Sequence, residues 1–468
     1  MKLTRLRKRA QFEQRLEDLG VRLPIDHEVE SDGPLSQTFE IAGRAVGNRF
    51  CVLPMEGWDA TADGRPTELV LRRWQRFGQS GAKLIWGGEA YAVVPEGRAN
   101  PNQLSRNPES EGDLAELRAA LITAHEAKGD SSQDLLVGLQ LTHSGRYSRP
   151  HGSPSPRTAF RDPVLDTRVG ITSDAALLSD GELDELIGHY AAVARIARNV
   201  GFDFVDVKAC HGYLGHELLS ARERPGPYGG DLAGRSRFLL QTVEAVRREA
   251  SDLAIGVRLS IFDLGPYQAG EEGVGRAQET AHRAFGHSDG KVDLLETNQL
   301  LSLLKEAGVS LLCTTAGSPY YNPHSQRPAF YPPSDGYESP EDPLVGVARQ
   351  IHATAQLKQQ HPDLGIVGSA YTYLQEWLPQ VAQAVVREQG ADFIGLGRMM
   401  LSYPELPRDV LQGDPLKRAL VCRTFSDCTT APRNGLVSGC YPIDPFYKRR
   451  PEADVLAELK RSARQSQT

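Results

Sequence analysis

The chain has 468 residues with 53 basic and 60 acidic side chains, a net charge of −7 and a hydrophobic share of 40%. That share supports a substantial core and is too high for a disordered chain, and the mild acidity argues against a nucleic-acid binder, which usually carries a net basic domain or stripe. Six cysteines are too few for a disulfide scaffold, and the absence of any run of about 18 apolar residues excludes a membrane-spanning helix. The basic N-terminus lacks the apolar segment of a secretory signal, so a reducing cytoplasm is the expected compartment. A small-molecule substrate is the expected partner, with no nucleic acid and no membrane. The oligomeric state is left open, a homo-oligomer included.

Residues 1–45 read as an N-terminal extension, with a short charged helix at 8–19 and a loop at 28–36. From 46 to 415 short apolar runs alternate with longer segments of helical period. The runs fall at 50–55, 84–90, 136–143, 204–211, 255–262, 311–317, 366–371 and 393–400. They show little strict alternation, as expected of parallel strands buried on both faces. Helices are predicted at 66–77, 113–127, 233–249, 298–307, 343–356, 374–388 and 404–412, and from Asp180 onward. Pro66, Pro343 and Pro404 suit first helical turns, where a missing N–H costs nothing. Eight strand–helix units predict an α/β fold, a closed (β/α)8 TIM barrel with N- and C-terminal extensions. An open doubly wound sheet is the alternative. Long connections at 144–179 and 263–297 belong on the active-site face of such a barrel. Residues 416–468 form a tail that contains Cys422, Cys428 and Cys440.

Chemistry in a barrel sits at the C-terminal ends of strands. Strands seven and eight end on Gly368-Ser369 and Gly397-Arg398, where small residues and a guanidinium suit a phosphate. Arg258 lies in an otherwise apolar fifth strand and needs an anion, a polar ligand or a pairing with Asp206. Gln140, at the end of strand three, could read the edge of a heterocycle. After strand four, Lys208, His211 and Tyr213 supply donors for a carbonyl oxygen and a phenol able to give a proton.

Three segments carry a more specific resemblance: 48–56 with 62–68, 201–214, and 227–238. In this order, with the ends of strands five, seven and eight, they resemble the old yellow enzyme family of FMN-dependent oxidoreductases over residues 46–415. The resemblance implies an FMN-binding barrel reduced by NADH or NADPH. It implies that Pro54, Met55, Glu56 and Ala90 line the flavin and that Gln140 and Arg258 meet its polar edge and ribityl chain. Gly368, Ser369, Gly397 and Arg398 would hold the phosphate. It also implies hydride transfer from flavin N5 to the β-carbon of an activated alkene, with Tyr213 protonating the α-carbon and Lys208 and His211 at the carbonyl-binding positions.

The sequence departs from that pattern at three places. Lys208 stands where histidine is usual, and it either meets substrate or is neutralised by Asp206. Glu56 stands where relatives often carry Thr or Cys, and a carboxylate there should lower the flavin potential. The tail resembles the iron–sulfur segment of the dienoyl-CoA reductase and trimethylamine dehydrogenase group, but three cysteines leave a cubane one ligand short. No metal is therefore expected, and an iron–sulfur cluster is disfavoured against a packed remnant. Reduction of an electron-poor alkene is the expected reaction. The alternatives are a flavin amine dehydrogenase or demethylase and, more remotely, a Schiff-base lyase using Lys208.

Overall fold

The computed structural model describes residues 2–280, 284–288 and 291–465. The apolar runs become eight parallel strands: β1 (Phe50–Val52), β2 (Leu84–Ile85), β3 (Leu136–Thr142), β4 (Phe204–Ala209), β5 (Ala254–Ser260), β6 (Leu311–Thr315), β7 (Gly365–Gly368) and β8 (Phe393–Leu396). Hydrogen bonding runs in the order β2, β1, β8, β7, β6, β5, β4, β3, and pairing of Leu84 with Leu136 closes the ring. Each strand is followed by an outer helix, in turn Glu68–Gly78, Ser110–Glu126, Asp180–Val200, Leu232–Glu249, Leu295–Glu306, Pro343–Gln360, Leu378–Arg387 and Leu406–Leu411. This is a (β/α)8 TIM barrel, the closed alternative of the two considered.

Local chemistry explains the helix ends. The Asp180–Val200 helix opens on a Ser179–Glu182 capping box and stops at Gly201, whose φ of +89° is cheap for glycine alone. Leu183, Leu186, Tyr190, Ala194 and Ala197 form its buried face. Pro343 does occupy the first turn of its helix. Pro66 and Pro404 instead precede theirs, which begin at Glu68 and Leu406. The expected helix at 374–388 opens as a 3-10 segment, Tyr371–Trp377, and becomes α-helical only at Leu378.

The second apolar run is two strands, not one: it breaks after Ile85 and resumes as Ala90–Ala92. The break falls at Gly87 and Gly88. A Cβ on Gly87 would lie 2.7 Å from the Gln140 backbone nitrogen, and one on Gly88 would lie 2.4 Å from the Trp74 ring. Strand and helix pack too closely there for a side chain.

Inside the barrel, Leu84, Trp86, Leu136, Phe204, Leu311, Val367 and Phe393 pack together with Ile41 and Val46. The last two belong to an antiparallel hairpin, Phe39–Ile41 with Arg44–Val46, in which Phe39 meets Phe393 edge-on. The N-terminal segment thus closes one end of the barrel. The opposite end is covered by long connections, including Pro163–Val169 and the hairpin Tyr267–Ala269 with Gly275–Ala277. Residues 281–283 and 289–290 of the 263–297 connection lie outside the described residues. The tail docks beside the first outer helix: Arg72 donates to Asp444 at 2.8 Å and stacks on Phe446 at 4.2 Å.

Candidate active site

The strand ends open into a chamber of about 230 Å³. Its lining includes Pro54, Met55, Glu56, Gln140, Lys208, His211, Tyr213, Arg258, Ser369, Gly397 and Arg398, residues dispersed over nearly 350 positions of sequence. Ala90 and Gly368 lie in bordering strands and are not among the lining residues. Several of the lining residues follow the last hydrogen-bonded residue of a strand, where side chains leave the packed ladder and meet the cavity.

Glu56 is the hub. Its Oε1 accepts from Lys208 Nζ at 2.5 Å, and its Oε2 accepts from the Tyr213 phenol at 2.8 Å and from Trp58 Nε1 at 3.1 Å. Lys208 therefore pairs with Glu56, not with Asp206. Although both residues lie on the same face of β4, Asp206 is already committed to Trp86 Nε1 (2.7 Å), Gln140 Nε2 (2.5 Å) and the Arg258 backbone N–H (2.6 Å). Burial still pushes the Asp206 carboxyl up to about 6. The expected Asp206–Arg258 pairing is thus made through the backbone of Arg258. Its side chain turns toward Pro54, whose carbonyl lies 3.4 Å from Nη1.

Tyr213 is buried, and its phenol is held well above the ordinary range, first by burial and then by the Glu56 charge. It is a proton-bearing group at any working pH. His211 is held well below the ordinary imidazole range by burial and then by the positive charges of Arg258 and Lys208. Its Nε2 lies 3.3 Å from the Thr315 hydroxyl and 3.2 Å from the Gln326 amide nitrogen. A neutral ring is the form present. His211 and Trp58 have φ of +67° and +51°, conformations that cost about 1–3 kcal/mol each in residues other than glycine. Such strain concentrates where a side chain must be aimed, and both side chains here face the chamber.

Residues that the sequence reading missed complete the walls. Tyr320 stands 3.0 Å from the Tyr213 phenol and stacks flat on Tyr147 at 3.9 Å. Arg327, midway along the β6 connection, is pulled down to about 9 by burial and then by the guanidiniums of Arg433 and Arg398. Cys428, Thr429, Pro432 and Arg433 of the tail line the chamber as well, so the tail forms part of the site. Reading the end of strand six as closely as the others would have found Tyr320. Nothing in sequence spacing brings Arg433 there.

The donor set fits a flavin mononucleotide. Among the described residues, Arg258 Nε, Arg327 Nη2 and Arg398 Nη1 are buried without a hydrogen-bond partner, an expensive state unless an anion or polar ligand receives them. Beyond burial, the nearby charges of Arg433 and Arg398 help to lower Arg327, and such a gathering of guanidiniums is suited to phosphate oxygens. Gly397 leaves the approach open, with a Cβ there meeting only Met55 Sδ at 3.9 Å.

The tail does not fit a cubane cluster. Cys422, Cys428 and Cys440 border a cavity of only about 20 Å³, and Phe425, at the expected second ligand position, stacks on Tyr331 at 5.4 Å. No group of three or more metal-ligating side chains is placed to hold a metal among the described residues.

A closed barrel whose strand ends gather arginines with unpartnered donors and a buried phenol is an arrangement that suits a barrel flavoprotein. The chain belongs to the NADH:flavin oxidoreductase / NADH oxidase family, whose profile matches residues 35–297. An NADPH dehydrogenase of Geobacillus sp. (strain WCH70) is 30% identical over 242 residues, covering 50% of this chain and 64% of that protein. An NADPH dehydrogenase of Bacillus velezensis is 26% identical over 369 residues, covering 78% of this chain and 90% of that protein. A 2-naphthoyl-CoA reductase in complex with 2-naphthoyl-CoA shares the fold with a TM-score of 0.68 at 19% identity, covering 89% of this chain and 58% of that one.

The Glu56–Lys208 pairing changes the reason for the expected effect of the carboxylate but not its direction. The pair is close to neutral, so replacing Glu56 leaves an uncompensated ammonium in the chamber. Glu56→Thr should therefore raise the midpoint potential of bound flavin, since a positive charge favours the reduced, more negative form. Potentiometric titration checks it, and an unchanged potential removes the idea.

Proposed function

We propose that this protein is an FMN-dependent oxidoreductase that takes a hydride from NADPH or NADH and delivers it to an electron-poor alkene conjugated to a carbonyl. Bound FMN supplies the two-electron carrier between nicotinamide and acceptor, and the residues supply binding and the proton. Pro54, Met55, Gln140 and Arg258 would hold its ring system, and Ser369, Gly397 and Arg398, with Arg327, its phosphate.

The observation that carries the reading is the buried, proton-bearing Tyr213 phenol beside Lys208 and His211 in the chamber with the arginine cluster. In this reading His211 and a further N–H of Lys208 receive the acceptor carbonyl oxygen and draw electron density from the alkene. Tyr213 gives its proton to the α-carbon. The tyrosinate so formed lies under the Lys208 ammonium, which sits 4.0 Å from the ring centroid. Tyr320 can return a proton across 3.0 Å, because it also borders an outer vestibule of about 1260 Å³. A reducing cytoplasm suits the six free thiols.

The test is anaerobic and sequential. NADPH or NADH should bleach the visible absorbance of the yellow protein, and 2-cyclohexenone added afterward should restore it with formation of cyclohexanone. A colourless protein that cannot be loaded with FMN, or a reduced protein that no activated alkene reoxidises, would overturn the reading.

A further inference from the structure

We infer that the Lys208 ammonium is a tethered occupant of a cation site built from the Glu56 carboxylate and the Tyr213 ring, and that it makes this protein exclude amines from the chamber. Glu56 Oε1 lies 2.5 Å from Nζ, and the Tyr213 ring centroid lies 4.0 Å from it. The Lys208 side chain is 3% exposed and that of Glu56 15%. A carboxylate beside an aromatic face is the chemistry that captures an alkylammonium ion. Here the cation arrives on the protein's own β4 strand, so its local concentration far exceeds that of any free amine.

Displacement is opposed in a second way. An external ammonium would have to share the chamber with the buried Lys208 and Arg258, like charges whose repulsion is less screened when they are buried. The residue thus selects against cationic substrates while leaving the chamber open to neutral ones. Removing the side chain should unmask the site, because carboxylate and ring stay in place: Glu56 is still held by Trp58 Nε1 and by the Tyr213 phenol. This concerns what the chamber refuses and is read by binding without turnover, so it stands or falls apart from alkene reduction.

The experiment titrates n-propylammonium chloride into flavin-loaded wild type, Lys208→Ala, Lys208→Arg and the double variant Lys208→Ala/Glu56→Gln. Calorimetry and flavin difference absorbance report binding, with sodium chloride as the ionic-strength control. Saturable binding is expected to Lys208→Ala, at least twentyfold tighter than to wild type or Lys208→Arg, and weakened at least tenfold in the double variant. Wild type binding the amine as tightly as Lys208→Ala would overturn the inference, as would a flavin-loaded Lys208→Ala that binds none. If Lys208→Ala melts early, n-propylammonium should raise its melting temperature and leave that of the double variant unchanged; failure to stabilise it would equally overturn the inference.

Discussion

Replacing Tyr213 with phenylalanine should slow reoxidation of the reduced protein by 2-cyclohexenone by about 10²–10⁴-fold, the usual contribution of a positioned general acid. Reduction by NADPH or NADH should stay within a few-fold of wild type, because no proton from Tyr213 is needed to accept a hydride from a nicotinamide. The phenol is buried and strongly protonated, and its hydrogen bonds go to Glu56 and Tyr320. Its removal therefore deletes a proton and two polar contacts with little change of shape. Stopped-flow measurement of the two half-reactions separates the outcomes. Equal loss in both would mean that Tyr213 shapes the chamber and does not supply the proton.

Replacing Arg73 with methionine should cost about 3–5 kcal/mol of folding stability, the usual penalty for stranding a buried charge. Arg73 is 4% exposed and bridges Asp59 and Glu89, whose side chains are 1% and 4% exposed. Glu89 also accepts from the backbone N–H of Gly57 at 3.1 Å, so the cluster anchors the segment that presents Glu56 and Trp58. Gly57 is required there, since a Cβ would fall 2.2 Å from Arg73 Nη2. Flavin affinity should fall with stability. Denaturant midpoints check the first effect and fluorescence titration of FMN the second. The triple variant Arg73→Met/Asp59→Asn/Glu89→Gln should recover part of the loss, because it removes the stranded carboxylates. A triple variant no more stable than Arg73→Met would show that packing, not charge, set the cost.

Much of this was legible in the sequence because its cause is local. Runs of apolar residues at 204–211 or 311–317 suit strands covered on both faces, and eight of them with helices between favour a closed ring over an open doubly wound sheet. Ser179 with Glu182 and the glycine at 201 announce their helix by short-range chemistry. Placing polar residues at strand ends also brought Lys208, His211, Tyr213, Arg258 and Arg398 to one cavity, since parallel strands in a barrel all end on the same face.

Only the tertiary structure decided which of those groups touch. By sequence Lys208 was set against substrate or Asp206, and its pairing with Glu56 instead goes with the ligation of Asp206 by Trp86, Gln140 and the Arg258 backbone. The break at Gly87 and Gly88 depended on Trp74 and Gln140, residues remote from it in the chain. The tail became a wall of the chamber because Asp444 and Phe446 find Arg72 on the first outer helix. Composition and period report the short-range preferences of the backbone and the side on which apolar area is buried. A hydrogen bond or ion pair between segments hundreds of residues apart is set by where the closed barrel brings their ends, and that was decided by the fold.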